Sequence, residues 1–214
     1  FASEGREWQQ TVYSPDYKTP DWVKGGVMYQ IFPDRFYRGE GEVKYKEDSR
    51  IHEDWYNDIP EYGVKAGSFV KNNDFFGGNL WGIAEKLDYL KSLGISVIYL
   101  NPIFDACSNH KYDTGNYMKV DAMLGGDKAF DALVGEASRR GIRIILDGVF
   151  NHTGADSIYF HKNKRYDSVG AYNSSESEYY DWYLFDKYPD KYKSWWGIDI
   201  LPKINGKNKA FREF

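Results

Sequence analysis

Short β-prone apolar runs alternate with segments of helical period, and this alternation sets the topology open to the chain. Residues 27–32 (VMYQIF) form a β-prone run stopped by Pro33. Leu80, Ile83, Ala84, Leu87, Leu90 and Leu93 then recur at helical spacing, with Asn79 placed to cap the helix and Gly94 to stop it. Residues 95–100 (ISVIYL) read as a second strand, ended by Asn101 and Pro102. A second helix carries Ala129, Phe130, Leu133, Val134 and Ala137 on one face. Asp127 reads as its cap, Arg139 and Arg140 suit its carboxyl-terminal dipole, and Gly141 ends it. Residues 142–146 (IRIIL) read as a third strand. Strands alternating with helices imply an α/β fold with a parallel sheet and right-handed crossovers. Strands this continuously apolar suit a sheet covered on both faces.

Around this rhythm lie segments of another kind. Residues 33–79 and 101–126 are polar and read as long loops, a length at which loops are usually functional. Residues 153–205 are rich in Tyr, Asp, Ser and Lys, break the strand–helix rhythm, and read as an inserted subdomain. Residues 206–214 read as the start of a further helix. Residues 1–24, with Pro15 and Pro20, read as a leader or linker. The chain opens on Phe1 without a basic, then apolar, signal segment, so a processed or longer precursor is expected. The expected location is the cytoplasm in preference to export.

Composition narrows the function. A net charge of −4 argues against nucleic acid as a partner. The longest apolar run, 95–100, is far below the ~20 residues of a membrane-spanning helix, so no membrane partner is expected. The single cysteine, Cys107, cannot form an internal disulfide. Aromatic residues make up 18% of the 214 residues, which suits both a hydrophobic core and a surface that stacks on sugar rings.

Two polar clusters fall where parallel α/β folds bind ligands, at the carboxyl ends of the strands. Asp147, Asn151 and His152 follow the third strand, and His110, Tyr112 and Asp113 lie in the loop after the second. A strand-end cap satisfied by backbone is the plain alternative for the first cluster. Neighbouring loops that each offer His and Asp, with a tyrosine between, favour a binding site.

Six ordered motifs carry a resemblance: residues 27–36 (VMYQIFPDRF), 76–80 (FGGNL), 95–102 (ISVIYLNP), 110–114 (HKYDT), 147–152 (DGVFNH) and 201–205 (LPKIN). Together they are similar to the first part of the catalytic barrel of the α-amylase family of glycoside hydrolases (family 13). The neopullulanase, maltogenic amylase and cyclomaltodextrinase group is the most similar. The resemblance runs from about residue 20 to the end. It implies the first three strands and two helices of an incomplete (β/α)8 TIM barrel over 25–152. It makes 153–205 an inserted subdomain (domain B) after strand 3, makes 206–214 the start of the next barrel helix, and makes 1–24 a linker from a further domain.

The resemblance also implies roles. Tyr112 stacks on a glucose ring, His152 binds a hydroxyl of that ring, and His110 and Asp113 line the same loop. Asp147 and Asn151 are structural members of the active site; neither is the nucleophile. By composition alone, and not from the resemblance, Trp195, Trp196, Tyr179, Tyr180 and Tyr183 either line a glucan groove or form the small core of the inserted subdomain. Family members cleave α-1,4-glucosidic bonds in starch, maltodextrin or pullulan with retention, using a nucleophilic carboxylate and a carboxylic acid ~5–5.5 Å apart. Those two carboxylates follow barrel strands 4 and 5, beyond the motifs present here, so the 214-residue chain alone is expected to be inactive and to need the remainder of the barrel. A non-catalytic sugar-binding relative, and a transglycosidase or isomerase of the same family, are the alternatives. No cofactor is required. A calcium ion in the first loop would draw on Asn79 and Gly78, with a solvated acidic loop as the alternative.

Overall fold

The computed structural model describes residues 10–65, 67, 68 and 70–214. Part of the expected leader, residues 1–9, therefore lies outside the described residues. In chain order the elements are β1 (Val27–Ile31), β2 (Arg50–Ile51), β3 (Asp74–Phe75), α1 (Leu80–Glu85) and α2 (Leu87–Ser92). They continue with β4 (Ile95–Leu100), β5 (Phe104–Ala106), β6 (Thr114–Val120), α3 (Gly126–Arg139) and β7 (Arg143–Leu146). The last are β8 (Phe185–Lys187), β9 (Lys191–Tyr192) and α4 (Lys209–Glu213).

β1, β4 and β7 form a parallel sheet in that order, with Ile31 beside Leu100 and Leu100 beside Leu146. β4 is the central strand, and its Ile98 and Leu100 are fully buried. Leu80, Ile83, Leu87 and Leu90 pack on this sheet with Leu133 and Ala137 of α3, all without measurable exposure. Truncating one of these leucines to alanine would cost about 2–5 kcal/mol in lost transfer energy and cavity formation. β1 is different: Val27, Met28 and Tyr29 are 50, 49 and 41% exposed.

The helix expected over 80–93 is divided at Lys86, whose N–H is shared between Gly82 and Ile83 carbonyls at 3.2 and 3.1 Å. The tightened turn leaves the buried face unbroken. Ile83 and Leu87 stay fully covered on either side of it, and Leu90 N–H still donates to Lys86 O at 2.9 Å. Asp127 is not the cap of α3. Gly125, at φ +100°, starts that helix, and the Asp127 carboxylate instead reaches back to accept from Val120 N–H at 3.0 Å. Nor is 101–126 structureless: β5 and β6 pair antiparallel with two register shifts. A turn of helix, α4, falls within 206–214, capped by Asn208.

Two of the sequence motifs hold one another directly. The buried Asp34 carboxylate accepts from Phe76 and Gly77 N–H at 3.1 and 3.0 Å, and Gly78 N–H donates to Asp34 O at 3.0 Å. These bonds satisfy a carboxylate that would otherwise be costly to bury.

A second core lies outside the sheet and is largely aromatic. It is built from Tyr117, Tyr159, Phe160, Trp182 and Tyr183, with Ala155, Ala171 and Ile204 between the rings. The chain returns to its own start here: Ala155 N–H donates to Ile200 O, Thr153 N–H to Pro202 O, and Ile204 N–H to Asn151 O, at 2.8, 3.2 and 2.9 Å. The LPKIN segment is thereby laced to residues 151–155. Among the described residues, no helix is long and apolar enough to cross a membrane.

Candidate functional site

The carboxyl ends of β4 and β7 open into a cleft of about 1370 Å³. Its walls include Cys107, His110, Tyr112, Asp113, Asp147, Asn151 and His152, and also Trp195, Ile198 and Ile200. All six residues expected at the sugar site therefore face one space.

Their connections are direct. The Tyr112 hydroxyl donates to Asp147 Oδ2 at 2.8 Å. Burial and this carboxylate together push the Tyr112 phenol up to about 12, so it stays a neutral donor at physiological pH. His152 lies within 3.1 Å of the Tyr112 carbonyl through Nε2 and within 3.1 Å of the Asn151 amide through Nδ1. A carbonyl only accepts, so Nε2 carries the proton and Nδ1 accepts from Asn151. Both His152 nitrogens are thus engaged by protein, and a sugar hydroxyl would reach Nδ1 by replacing the exposed Asn151 amide. Burial holds the His152 imidazole below its ordinary value, against smaller opposing effects of Tyr112 and Asp113.

His110 and Asp113 organise the loop as much as they line it. The Asp113 carboxylate accepts from Cys107 N–H at 3.2 Å, Ser108 N–H at 3.1 Å, and the Ser108 hydroxyl. Tyr112 N–H donates to His110 Nδ1 at 3.1 Å, which leaves Nε2 of that ring to carry the proton. Burial lowers the His110 value as well, with Asp113 opposing and Lys111 adding to the effect. The backbone turns sharply here, with Lys111 at φ +60°. The buried Lys111 ammonium anchors that turn on Asp121 at 2.8 Å, and Lys46 meets the same carboxylate at 2.6 Å. Burial would raise the Asp121 carboxyl, but the two lysines outweigh it and hold it well below the usual carboxylate range.

The loop following β7 is pressed against this one. Gly154 has no room for a side chain, because a Cβ would lie 2.6 Å from Asp113 O. The tolerance of glycine for close backbone approach is what allows the contact.

Sequence reasoning missed one contributor and left another undecided. Tyr117, on β6, sends its hydroxyl to the carbonyls of Val149 and His152 and so fixes the backbone that carries Asn151 and His152. Trp195, open between groove and core, stacks on His152, with ring centroids 5.2 Å apart and planes inclined by 25°. Both contacts join residues more than thirty positions apart, and only the aromatic surplus hinted at them. Of the tyrosine-rich stretch, Tyr183 is buried in the aromatic core and Tyr179 packs against it.

At Asn79 and Gly78, where calcium is weighed against a solvated loop, the side chain and backbone are engaged by protein. Asn79 is buried as the cap of α1, with Oδ1 accepting from Gly82 N–H at 2.8 Å and Nδ2 donating to Gly39 O at 3.1 Å. Gly78 is packed against Pro33 and Asp34 backbone. Among the described residues, no group of three His, Cys, Asp or Glu side chains is placed to hold a metal.

A parallel βα sheet with a polar, aromatic-rimmed cleft beyond the carboxyl ends of its strands is the arrangement by which α/β proteins hold ligands. Comparison with known proteins makes this specific. The family described as "Alpha amylase, catalytic domain" matches residues 30–207, and the chain belongs to it. The amylopullulanase of Thermoanaerobacterium saccharolyticum is 48% identical over 95% of this chain and 17% of its own length. The intracellular maltogenic amylase of Bacillus subtilis is 39% identical over 92% of this chain and 31% of its own. Among solved structures, the cyclic α-maltosyl-(1→6)-maltose hydrolase of Arthrobacter globiformis, in complex with that saccharide, superposes with a TM-score of 0.72. It is 34% identical over 92% of this chain and 41% of its own. The chain thus spans less than half the length of each.

Proposed function

We propose that this chain forms the sugar-holding wall of an α-glucan hydrolase. Its strands β1, β4 and β7 are then consecutive strands of a (β/α)8 barrel, and residues 153–205 are the subdomain inserted after the third. The observation that carries the reading is the Tyr112–Asp147–His152 constellation at adjacent strand ends, inside a cleft large enough for an oligosaccharide. Tyr112 presents its ring to a glucose face, His152 and His110 supply ring nitrogens to hydroxyls, and Asp147 holds Tyr112 in place. Asn151 supports His152 directly, and Asp113 holds the His110 loop through Cys107 and Ser108. Positioning of this kind lowers the entropic part of the barrier to glycosidic cleavage.

The nucleophilic and acid carboxylates of a retaining reaction come from other barrel strands, and the substrate is an α-1,4-linked glucan such as maltodextrin, starch or pullulan. The exposed apolar side chains of β1 support this reading. Val27, Met28 and Tyr29 occupy a strand edge that no described strand pairs on its outer side. An open apolar edge of this sort is an aggregation liability unless other strands cover it. The test is hydrolysis of maltodextrin and pullulan by the full-length protein, with Tyr112→Ala and with residues 1–214 alone. Activity in the full-length protein, lost on Tyr112→Ala and absent from the isolated chain, is expected. Full activity of Tyr112→Ala would overturn the reading.

A further inference from the structure

The cleft has a feature that the site described above does not use. Three flat rings form a continuous stack from its interior to its rim. His152 is 5% exposed, Trp195 stacks on it, and Trp196 stacks on Trp195 with centroids 4.5 Å apart and planes inclined by 11°. Trp196 ends the stack in solvent at 84% exposure. An indole this exposed loses most of the benefit of burying an aromatic ring. The backbone is also unusual, since Trp196 sits at φ +52°, a left-handed conformation that bulky side chains rarely adopt. Strain of that type persists where the surroundings impose it, and it gathers at binding sites. Ile198 and Ile200, both partly exposed, extend the apolar surface along the same wall.

We propose that the outer face of Trp196 is a rim subsite that stacks on a glucose unit of an α-glucan, separate from the unit held at Tyr112. The inference rests on the α-glucan reading of the cleft and adds a second point of contact to it. The occupant follows from continuity: a chain seated among Tyr112 and His152 leaves along the wall that Trp195 lines, and Trp196, stacked on Trp195, carries that aromatic surface outward beyond the cleft. Sugar rings present flat C–H faces that match an indole in area and polarity. A ligand too short to bridge the two points gains nothing from Trp196, whereas a longer one gains both contacts at once.

The experiment uses the full-length protein with maltotriose and maltoheptaose as probes. Affinities are measured by calorimetry for the wild type, Trp196→Ala and Trp196→Phe, with thermal unfolding recorded in parallel. Wild type is expected to bind maltoheptaose more tightly than maltotriose. Trp196→Ala should weaken maltoheptaose by about threefold to tenfold, the scale of one stacked aromatic contact. Maltotriose should stay within about twofold, and Trp196→Phe should recover most of the loss. Unchanged maltoheptaose binding in Trp196→Ala would overturn the proposal. So would equal weakening of both sugars with a lowered unfolding midpoint, which would mean that Trp196 packs against protein. If the wild type binds neither sugar, the α-glucan reading itself falls, an outcome distinct from failure of the rim subsite alone.

Discussion

The Tyr112 hydroxyl hydrogen-bonds the Asp147 carboxylate at 2.8 Å across a separation of 35 residues. It joins the β5–β6 connection to the end of β7. Removing only the hydroxyl, in Tyr112→Phe, keeps the ring and leaves a partly buried carboxylate without this partner. A loss of about 1 kcal/mol in maltoheptaose binding is expected, or roughly fivefold. Tyr112→Ala, which also removes the ring face, should lose considerably more. Calorimetric titration of both variants checks the order, and equal affinities for the two would refute it.

The two site histidines make stability depend on pH in a definite direction. Burial holds His152 and His110 below the ordinary imidazole value, so the unfolded chain takes up their protons first as pH falls. Their contribution is complete above about pH 6.5 and declines below it. Thermal midpoints should therefore fall between about pH 7 and pH 5. His152→Gln, which keeps a donor for the Tyr112 carbonyl, should flatten part of that decline. A midpoint that rises on acidification across this range would contradict the assignment.

Asp121 sits between the ammonium groups of Lys111 and Lys46 with no exposure of its own. Asp121→Asn removes the charge and strands Lys111 in the interior, since Lys46 still has Asp105 at 2.7 Å. A destabilisation of about 3–5 kcal/mol is expected from an uncompensated buried charge. Because the carboxyl is held below its unfolded value, its contribution is present above about pH 4 and is lost as pH falls further. Denaturant melts at about pH 7 and pH 3 measure both effects; a wild-type and variant gap that widens at the lower pH would exclude this mechanism.

Gly154→Ala would drive a methyl group to 2.6 Å from the Asp113 carbonyl. The two site loops must then separate, at about 1–3 kcal/mol of strain. The expected signature is a lower unfolding midpoint together with weaker maltoheptaose binding, because the displaced loop carries Tyr112. Unaltered binding and stability would mean that the loops have slack.

The βα rhythm was legible because it rests on local periodicity. Leu80, Ile83, Leu87 and Leu90 mark one buried helix face, and residues 95–100 have the continuous apolar character of a central strand. The β5–β6 hairpin was not legible, because its register shifts break the alternation that identifies paired strands. Asp127 misled for a related reason. It has the residue type of a cap, yet Gly125 can adopt φ +100° and Asp127 finds Val120 N–H instead. At the site, the motifs pointed to Tyr112, Asp147 and His152, which the structure brings together. Tyr117 carried no local signature, and Trp195 could be assigned to groove or core only once the fold delivered it to His152.

The lacing of residues 200–205 onto residues 151–155 has a consequence for evolution. Everything between enters and leaves through one short, hydrogen-bonded seam. Only stretches that leave Trp195 on His152 and the aromatic core on Tyr117 can lengthen, shorten or be exchanged while His152 keeps its bearings. The backbone on either side of His152 is thereby held by the seam, and the outer turns of the intervening chain are left to vary without rebuilding it.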